Sequence, residues 1–429
     1  MTVTSASSSS ARAATQRAVY HWGPSETSWY SRWKKMSPPK RIMTLSGDES
    51  ARCLSLGKEH GGFLVTPSSS STGGDLFTFG KSQYPVLGRK AEGEDKLEPK
   101  KVPYEGKLRD FSCGGFHSAA VDEEARLCTW GWHGSFLGGA NALGFEAAAD
   151  VSEPTRVPLP DGEKVKQVVC GERHTVVLAQ SGKVFTTGSG EYGLLGLGDV
   201  SDSTELELVE HYPDSVFQTH IGADEIVKVS VGLHHSAALT AKGELFCWGQ
   251  NDQGQCGVDE SMGDNFSFEP FPRLVRSLAT QGFVVRDVAC GDTHTDVVTT
   301  CGKVITWGNR AWLSPHRISR SAEAEKDADQ KTHKTPPSEA DNDEIFAEDR
   351  DEVTKLAGGA RFSLLLTKNG SLFAYGRQSG CLPKDLVQPT RILPEWGTGT
   401  NDGSNTAARV LDVAASREGC LVLVEETVD

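Results

Sequence analysis

The sequence predicts an all-β fold, a seven-bladed β-propeller, and three observations carry this prediction. One phrase recurs along the chain: Val-x-Cys-Gly-x-x-His-Ser/Thr, an apolar run, a glycine turn, and an apolar strand that ends in Trp-Gly. The glycine that ends each copy recurs every 51 to 68 residues. The two ends of the chain carry complementary halves of the same phrase. A unit of about 50–60 residues with a hairpin and outer strands is typical of one propeller blade.

Each copy of the phrase predicts a β-hairpin, because apolar strands lie on both sides of a glycine-centred turn. The clearest copies span residues 168–188, 229–249 and 288–308, weaker copies span 111–131 and 356–376, and the weakest spans 54–80. Segments such as 154–157 and 389–392 supply outer strands, which brings each unit to four strands.

The ends of the chain predict how the ring closes. Residues 18–23 match the second half of the phrase, and residues 413–424 match the first half. An open array would leave strand edges unpaired, so we expect these two segments to pair and to complete the seventh blade. The propeller is therefore predicted over residues 18–424. Residues 1–17 form a disordered Ser/Ala-rich tail or a short mitochondrial presequence, and residues 425–429 form a C-terminal tail.

Charge sets one segment apart from the blades. The chain has a net charge of -14, and residues 321–352 hold 12 acidic and 4 basic side chains, a net of -8. We expect a disordered acidic insertion over residues 316–352, either a tolerated surface loop or a partner-binding segment. The acidic balance disfavours nucleic-acid binding by bulk charge, and no apolar run is long enough to predict a membrane span.

Two patterns invite a chemical interpretation, and each has a structural alternative. Residues 188–193 form G-x-G-x-x-G after a strand, but more glycines follow instead of the helix that a dinucleotide site requires. Cysteine and histidine recur at four-residue spacing in Cys113/His117, Cys170/His174 and Cys290/His294. Each blade offers two such ligands where zinc takes four, so we expect buried histidines that bond the backbone of their own hairpin turn. The sequence predicts no catalytic residue, no cofactor and no metal.

Aromatic residues outside the repeated register are the candidate partner-binding residues. Those that end repeated strands are expected to pack in the interior: Trp22, Trp130, Trp248 and Trp307. Irregular loops combine aromatic residues with arginine, the composition of interface hot spots. The candidates are Trp29, Tyr30, Arg32, Trp33, Trp132, His133, Arg310 and Trp312. We predict that they dock a protein partner on one propeller face, and we expect the chain to be a monomer.

The phrase and the glycine-rich loops that follow it, such as residues 192–199 and 252–257, resemble the repeat of the regulator of chromosome condensation family over about residues 18–424. The resemblance implies a seven-bladed propeller but no single function, since the family includes exchange factors, photoreceptors, ubiquitin-ligase modules and assembly scaffolds. The family's ultraviolet-B photoreceptors carry tryptophan where this chain has Glu172, Leu233 and Asp292, which disfavours photoreception.

Three functions are compatible with the sequence. The first is a non-enzymatic scaffold or regulator that docks a partner protein. The second is a guanine-nucleotide exchange factor for a small GTPase, and the third is a mitochondrial factor for ribosome or RNA-processing assembly. The first two imply a cytoplasmic or nuclear location. The loops at 24–29 and 309–312 lack the glycine-rich form of the family, so we assign no exchange-factor residues.

Overall fold

The computed structural model describes residues 14–23, 38–67, 73–81, 84–90, 97–135, 139–209, 225–258, 268–309, 312–317, 352–377, 379, 381–382, 384–392, 408–417 and 419–428. The strands of these residues form seven four-stranded antiparallel sheets and one short two-stranded hairpin. Each four-stranded sheet is one blade, so the predicted seven-bladed propeller is confirmed.

The chain begins with β1 (Ala14–Trp22) and β2 (Lys40–Thr44), which belong to the last blade. Blade 1 contains β3 (Glu49–Leu56), β4 (His60–Pro67), β5 (Asp75–Gly80) and β6 (Lys100–Lys101). Blade 2 contains β7 (Leu108–Cys113), β8 (His117–Asp122) and β9 (Leu127–Gly131), then the short hairpin of β10 (Gly134–Ser135) and β11 (Gly139–Ala140), and the outer strand β12 (Val151–Val157). Blade 3 contains β13 (Val165–Cys170), β14 (His174–Ala179), β15 (Val184–Gly188) and β16 (Ser203–Leu208).

Blade 4 contains β17 (Ile226–Val231), β18 (His235–Thr240), β19 (Leu245–Gln250) and β20 (Phe268–Leu274). Blade 5 contains β21 (Val285–Cys290), β22 (His294–Thr299), β23 (Val304–Gly308) and β24 (Trp312–Arg317). Blade 6 contains β25 (Val353–Gly358), β26 (Phe362–Thr367), β27 (Leu372–Gly376) and β28 (Leu386–Arg391). Blade 7 combines β29 (Arg409–Ser416) and β30 (Gly419–Val428) with β1 and β2. The helical elements among the described residues are single turns at Pro160–Gly162 and Glu191–Gly193 and the helix α1 (Arg276–Thr280).

The first strands of the blades surround a central axis and close the ring. Each of β3, β7, β13, β17, β21, β25 and β29 contacts the first strand of the blade before it and of the blade after it. In blade 7 the strand order is β2-β1-β30-β29, with Ala14 opposite Val428 and Trp22 opposite Cys420. The predicted closure is therefore confirmed. The pairing extends past the predicted limits at 18 and 424, because residues 14–17 and 425–428 pair with each other.

The second strand of each blade lies deepest in the packing between blades. Every residue of β14, β18 and β22 is buried, because both faces of a blade are covered by its neighbours. One apolar cluster joins Ala237 of blade 4 to Val288 and Val297 of blade 5. The predicted interior tryptophans are buried: Trp22, Trp130, Trp248 and Trp307.

The loops distinguish two faces of the ring. The loops between first and second strands all lie on one face of the ring, which we call the His face. Third strands end on this face too, since His174 at the start of β14 pairs with Gly188 at the end of β15. The ends of β1 and β2 that flank residues 24–37 therefore lie on the His face. The ends of β24 and β25 that flank residues 318–351 lie on the opposite face. Those residues are most of the predicted acidic insertion and fall outside the described part, while its first two positions belong to β24.

No helix in the described part of the chain is long and apolar enough to cross a membrane.

Candidate protein-docking face

A histidine begins the second strand of blades 1 to 5, and each histidine bonds the next blade. Its Nε2 atom lies 2.7 to 3.0 Å from a hydroxyl oxygen in the pairs His60–Ser118, His117–Thr175, His174–Ser236, His235–Thr295 and His294–Ser363. The prediction of buried histidines is confirmed, but the prediction that each bonds its own turn was wrong. The motif glycine makes the difference, since a Cβ on Gly171 would lie 2.2 Å from His174 Cε1. The ring lies against that glycine and faces the junction.

The hydroxyl partners fix the tautomer of three of these histidines: His60, His117 and His235. Ser118 donates its own proton to the carbonyl oxygen of Val86 at 2.9 Å, so its oxygen accepts from the Nε2–H of His60. Thr175 and Thr295 donate to loop carbonyls in the same way. Burial lowers the pKa to about 3 in four of the histidines: His60, His117, His174 and His235. These four are therefore neutral connectors between blades at pH 7.

Two junctions lack the histidine, and there the partner hydroxyl is missing as well. Phe362 stands at the histidine position of blade 6, and Cys420 stands at the hydroxyl position of blade 7, in one buried cluster. At the next junction the two positions are Gly419 and Gly61. A buried hydroxyl or imidazole without a partner costs about 1–3 kcal/mol, and the joint replacement avoids that cost.

The glycine-rich loop after a third strand is hydrogen-bonded to a tryptophan of the next blade. The indole Nε1 donates to a loop carbonyl at 2.8 to 3.0 Å in the pairs Trp130–Val86, Trp248–Leu194 and Trp307–Gln255. Glycine is required where the loop crosses the indole. A Cβ on Gly257 would lie 2.6 Å from Trp307 Nε1, and the φ of this glycine is +64°. Packing between blades thus holds these loops of the His face in place.

Charged side chains from five blades meet at the centre of the His face. Glu172 of blade 3 lies 2.8 Å from Lys58 of blade 1, 3.3 Å from Arg417 of blade 7 and 3.6 Å from His234 of blade 4. Arg417 Nε lies 3.9 Å from Asp292 of blade 5. We call these five residues the axial cluster. Three of its four pairs join blades that are not neighbours, so they bridge the central axis, and the fourth joins Glu172 to His234 of the next blade.

The two carboxylates of the axial cluster differ in how easily they ionise. Burial opposes the ionisation of Glu172, but Lys58 and Arg417 outweigh it and hold the pKa of Glu172 below its ordinary value. Burial raises the pKa of Asp292 to about 6, because the distant Arg417 compensates it only in part. A buried acid whose pKa is raised beside a specific charged partner is a candidate functional residue.

Three partly exposed aromatic rings lie beside the axial cluster. The ring centroids of Tyr84, Phe116 and Trp132 are 5.4 to 6.1 Å apart. Lys58 Nζ lies 4.5 Å from the centroid of Phe116, and the guanidinium carbon of Arg173 lies 5.5 Å from the same centroid. We call the three rings the aromatic cluster. A cation over a ring face is attracted by the negative face of the ring, so Lys58 and Arg173 stabilise the aromatic cluster.

The structure places Trp132 and His133, two of the predicted partner-binding residues, on the His face. Trp132 belongs to the aromatic cluster, whereas His133 is engaged within its own blade, with Nδ1 2.5 Å from Asp150 Oδ1. Trp312 is the first residue of β24, with its backbone opposite Gly308. The other candidates lie outside the described residues: Trp29, Tyr30, Arg32, Trp33 and Arg310.

Sequence reasoning missed Phe116 and Arg173, although a signal for them exists. Both occupy the second variable position of Cys-Gly-x-x-His, and the structure places that position of each blade on the His face. Position within the repeat, rather than departure from it, identifies these residues. Tyr84 has no such signal, because it lies in an irregular loop after β5.

A buried aspartate replaces an apolar residue of the repeat between blades 5 and 6. Asp296 is fully buried and accepts from Thr306 Oγ1 at 2.6 Å, Ser363 Oγ at 2.6 Å and Tyr375 Oη at 2.5 Å. Burial would raise the pKa of Asp296, but His294 and these hydroxyls lower it below its ordinary value. With its partners all inside the protein, Asp296 is a structural residue.

Metal and nucleophile chemistry find little support in the residues that the structure describes. Those residues contain no group of three or more His, Cys, Asp or Glu placed to hold a metal ion. Burial raises the pKa of the Cys170 and Cys290 thiols to about 12, so both are protonated at pH 7. A protonated, buried thiol is neither a good ligand nor a nucleophile.

The fold and the loops of the His face define the class of this protein as a propeller built from one repeated unit. A family model described as "Regulator of chromosome condensation (RCC1) repeat" matches residues 73–121, 124–178, 181–239 and 242–298, just over half of the chain. The chain belongs to this family, which confirms the resemblance drawn from the sequence.

Relatives and solved structures agree with this assignment. The ultraviolet-B receptor UVR8 of Arabidopsis thaliana is 35% identical over 237 residues, 55% of this chain and 49% of the receptor. The chain thus spans about half the length of that relative. The mitochondrial RCC1 domain-containing protein RUG3 of the same plant is 27% identical over 377 residues, 86% of this chain and 76% of RUG3. The structure of human WBSCR16 matches with a TM-score of 0.69 and 20% identity, over 97% of this chain and 100% of that one, which shows the fold.

Proposed function

We propose that this chain is a non-enzymatic scaffold or regulator that docks a partner protein through the His face. The aromatic cluster carries the proposal. Its rings stay partly exposed in a molecule whose repeat tryptophans are buried. Aromatic and arginine residues at the centre of a patch are typical of protein interfaces, and Phe116, Trp132 and Arg173 have this composition.

The rigidity of the His face supports the same function. The motif loops are tied to neighbouring blades by backbone bonds such as Gly115 N–H to Gly171 O at 3.0 Å. The glycine-rich loops are held by the indoles of the next blade. A preorganised surface loses little conformational entropy when a partner binds, so more of the contact energy becomes affinity.

The test compares the aromatic cluster with a matched ring on the other face. The full chain and the variant Phe116→Ala/Trp132→Ala are immobilised, and the retained proteins are identified by mass spectrometry. The control is Phe283→Ala, a partly buried ring on the opposite face with Lys303 Nζ 5.3 Å from its centroid. We expect the double variant to lose a partner that the control retains. The same partners on all three proteins would reject docking through this cluster.

The two finer alternatives are tested on the partner and on the chain itself. If the captured partner is a small GTPase, release of a fluorescent GDP analogue is measured with and without the full chain. Acceleration that is lost in Phe116→Ala/Trp132→Ala would make exchange the function, and an unchanged rate would reject it.

For the mitochondrial alternative, isolated mitochondria are incubated with the full chain. Import with removal of its first residues would support it, and exclusion would reject it.

A further inference from the structure

Charge is distributed unevenly around the His face. Blades 6, 7 and 1 are consecutive in the ring, and they carry five cations in motif loops or directly after third strands: Arg361, Arg377, Arg417, Lys58 and Lys81. We call these residues the basic sector. Among the described residues at the same positions of these three blades, Glu59 is the one carboxylate, and Glu172 of blade 3 pairs with Lys58 and Arg417. The described part of the sector therefore has an excess of positive charge.

Three cations of the basic sector are exposed, and none lies within ion-pair distance of a described carboxylate: Lys81, Arg361 and Arg377. Arg361 is near enough to Asp292 of the axial cluster to oppose, together with Arg417, the rise that burial causes in the pKa of Asp292. The backbone N–H of Arg377 donates to the carbonyl oxygen of Arg361 at 2.8 Å, so the two arginines are neighbours. Their side chains start from adjacent backbone positions, and an anion placed over this part of the face would be attracted by both charges.

The positive sign of the sector is local. The whole chain has a net charge of -14. An acidic partner is therefore attracted by the local charge of the sector and not by the net charge of the molecule. Strand β24 ends and strand β25 begins on the opposite face. The sector lies on the His face and presents its charge to a molecule that approaches this face.

We propose that the partner docked on the His face binds through an acidic segment. Its carboxylates lie on the basic sector, and an apolar side chain next to them lies on the aromatic cluster. Lys58 connects the two surfaces, because its Nζ lies 2.8 Å from Glu172 and 4.5 Å from the centroid of Phe116. This inference rests on the proposed function and names the chemistry of its partner.

A protein segment fits this face better than a nucleic acid does. Glu172 and Asp292 lie at the centre of the face, next to the basic sector, where a continuous phosphate backbone would meet them. A peptide places separate carboxylates over the cations and can leave the centre uncharged. The net charge of -14 also repels a polyanion more than a short acidic segment.

The test uses three labelled probes and the full chain, with fluorescence anisotropy as the readout. The first probe is a short peptide of Glu and Asp around one Phe, the second has Gln and Asn at the acidic positions, and the third is a short thymidine oligonucleotide. The variant is Arg361→Glu/Arg377→Glu. The control is Lys164→Glu/Lys368→Glu, which makes the same charge change at exposed lysines of the opposite face. Circular dichroism confirms that both are folded.

We expect the acidic peptide to bind the full chain and the control, and to bind the Arg361→Glu/Arg377→Glu variant at least about ten-fold more weakly. Its affinity should fall as salt rises from about 50 to about 300 mM, because the contacts are exposed. Failure of the acidic peptide to bind, equal loss in variant and control, or tighter binding of the amide peptide or the oligonucleotide would overturn the proposal.

The same variants separate this inference from the proposed function. A partner that is lost by Phe116→Ala/Trp132→Ala but kept by Arg361→Glu/Arg377→Glu would leave docking on the His face in place and reject an acidic segment. A partner that both double variants lose, and both controls keep, supports the two together.

Discussion

His174 Nε2 and the Ser236 hydroxyl are hydrogen-bonded to each other inside the protein, while His174 Nδ1 is buried without a partner among the described residues. Their atoms are 3.0 Å apart and buried, in different blades. The junction between Phe362 and Cys420 shows that an apolar pair fits the same geometry. A Cβ on Gly359 would lie 2.2 Å from Phe362 Cε1, the distance that Gly171 has to His174. The polar pair is therefore exchangeable only as a unit.

Changing one member of this pair should cost more than changing both. His174→Phe leaves the Ser236 hydroxyl buried without its partner, and we expect a loss of about 2–3 kcal/mol. Ser236→Cys alone leaves the buried imidazole of His174 without its hydroxyl partner, and we expect a similar loss. The double variant should recover about 1 kcal/mol or more of the summed losses. Urea unfolding of the four proteins at pH 7.5 measures this coupling, and strictly additive losses would contradict it.

Asp292→Asn should stabilise the folded chain at neutral pH. The pKa of Asp292 is raised to about 6, so its ionisation destabilises the fold as the pH rises through this range. With 22% of the side chain exposed, we expect a gain of about 1–2 kcal/mol at pH 7.5. At pH 4 the carboxyl is largely protonated in the folded chain, and the gain should shrink towards zero. Thermal unfolding at both pH values checks this, and an equal gain at both would contradict it.

Strands and loops differ in how far a local pattern predicts them. The hairpins were predictable, because alternation and glycine turns lie within a few residues of each other. The partner of His60 was not, because Ser118 lies 58 residues away and belongs to another blade. Trp132 was predictable as a surface aromatic from its place outside the register. The aromatic cluster was not, because only the fold brings Tyr84 and Phe116 to it.

Loops that cross an indole should tolerate a side chain less well than free turns. Gly257 has a φ of +64° and a Cβ there would lie 2.6 Å from Trp307, whereas Gly302 has a φ of +82° and open space around it. We expect Gly302→Ala to cost about 1 kcal/mol, from backbone strain alone. Gly257→Ala should cost about 2–4 kcal/mol, since the indole must also move. Urea unfolding compares the two, and equal losses would show that strain alone decides.

The whole ring depends on neutral histidines at several junctions, and this links its stability to pH. Four of them have a pKa of about 3 in the folded chain, below the ordinary value of 6.5: His60, His117, His174 and His235. The unfolded chain therefore binds protons first as the pH falls. Their contribution to stability is complete above about pH 6.5 and is lost between pH 6.5 and 3.

The free energy of unfolding should therefore fall by about 1.4 kcal/mol per pH unit for each of these histidines between about pH 6 and 4. Urea unfolding at several pH values measures the slope. The variant His174→Phe/Ser236→Cys lacks one such group, so its slope should be shallower by about 1.4 kcal/mol per unit. An identical slope would show that His174 is protonated in the folded chain.

The five histidine–hydroxyl pairs all point the same way around the ring, which restricts how such a chain can be rearranged. Blades 2 to 5 each present a hydroxyl to the blade before and an imidazole to the blade after. Duplicating or deleting one of them would leave the Nε2 atom of each histidine opposite a hydroxyl. The same copy inserted on either side of blade 7 would bury an imidazole and a hydroxyl without partners. Adding a whole repeat to the gene is therefore compatible with the histidine–hydroxyl pairs among blades 2 to 5, and it costs unpaired buried groups next to blade 7.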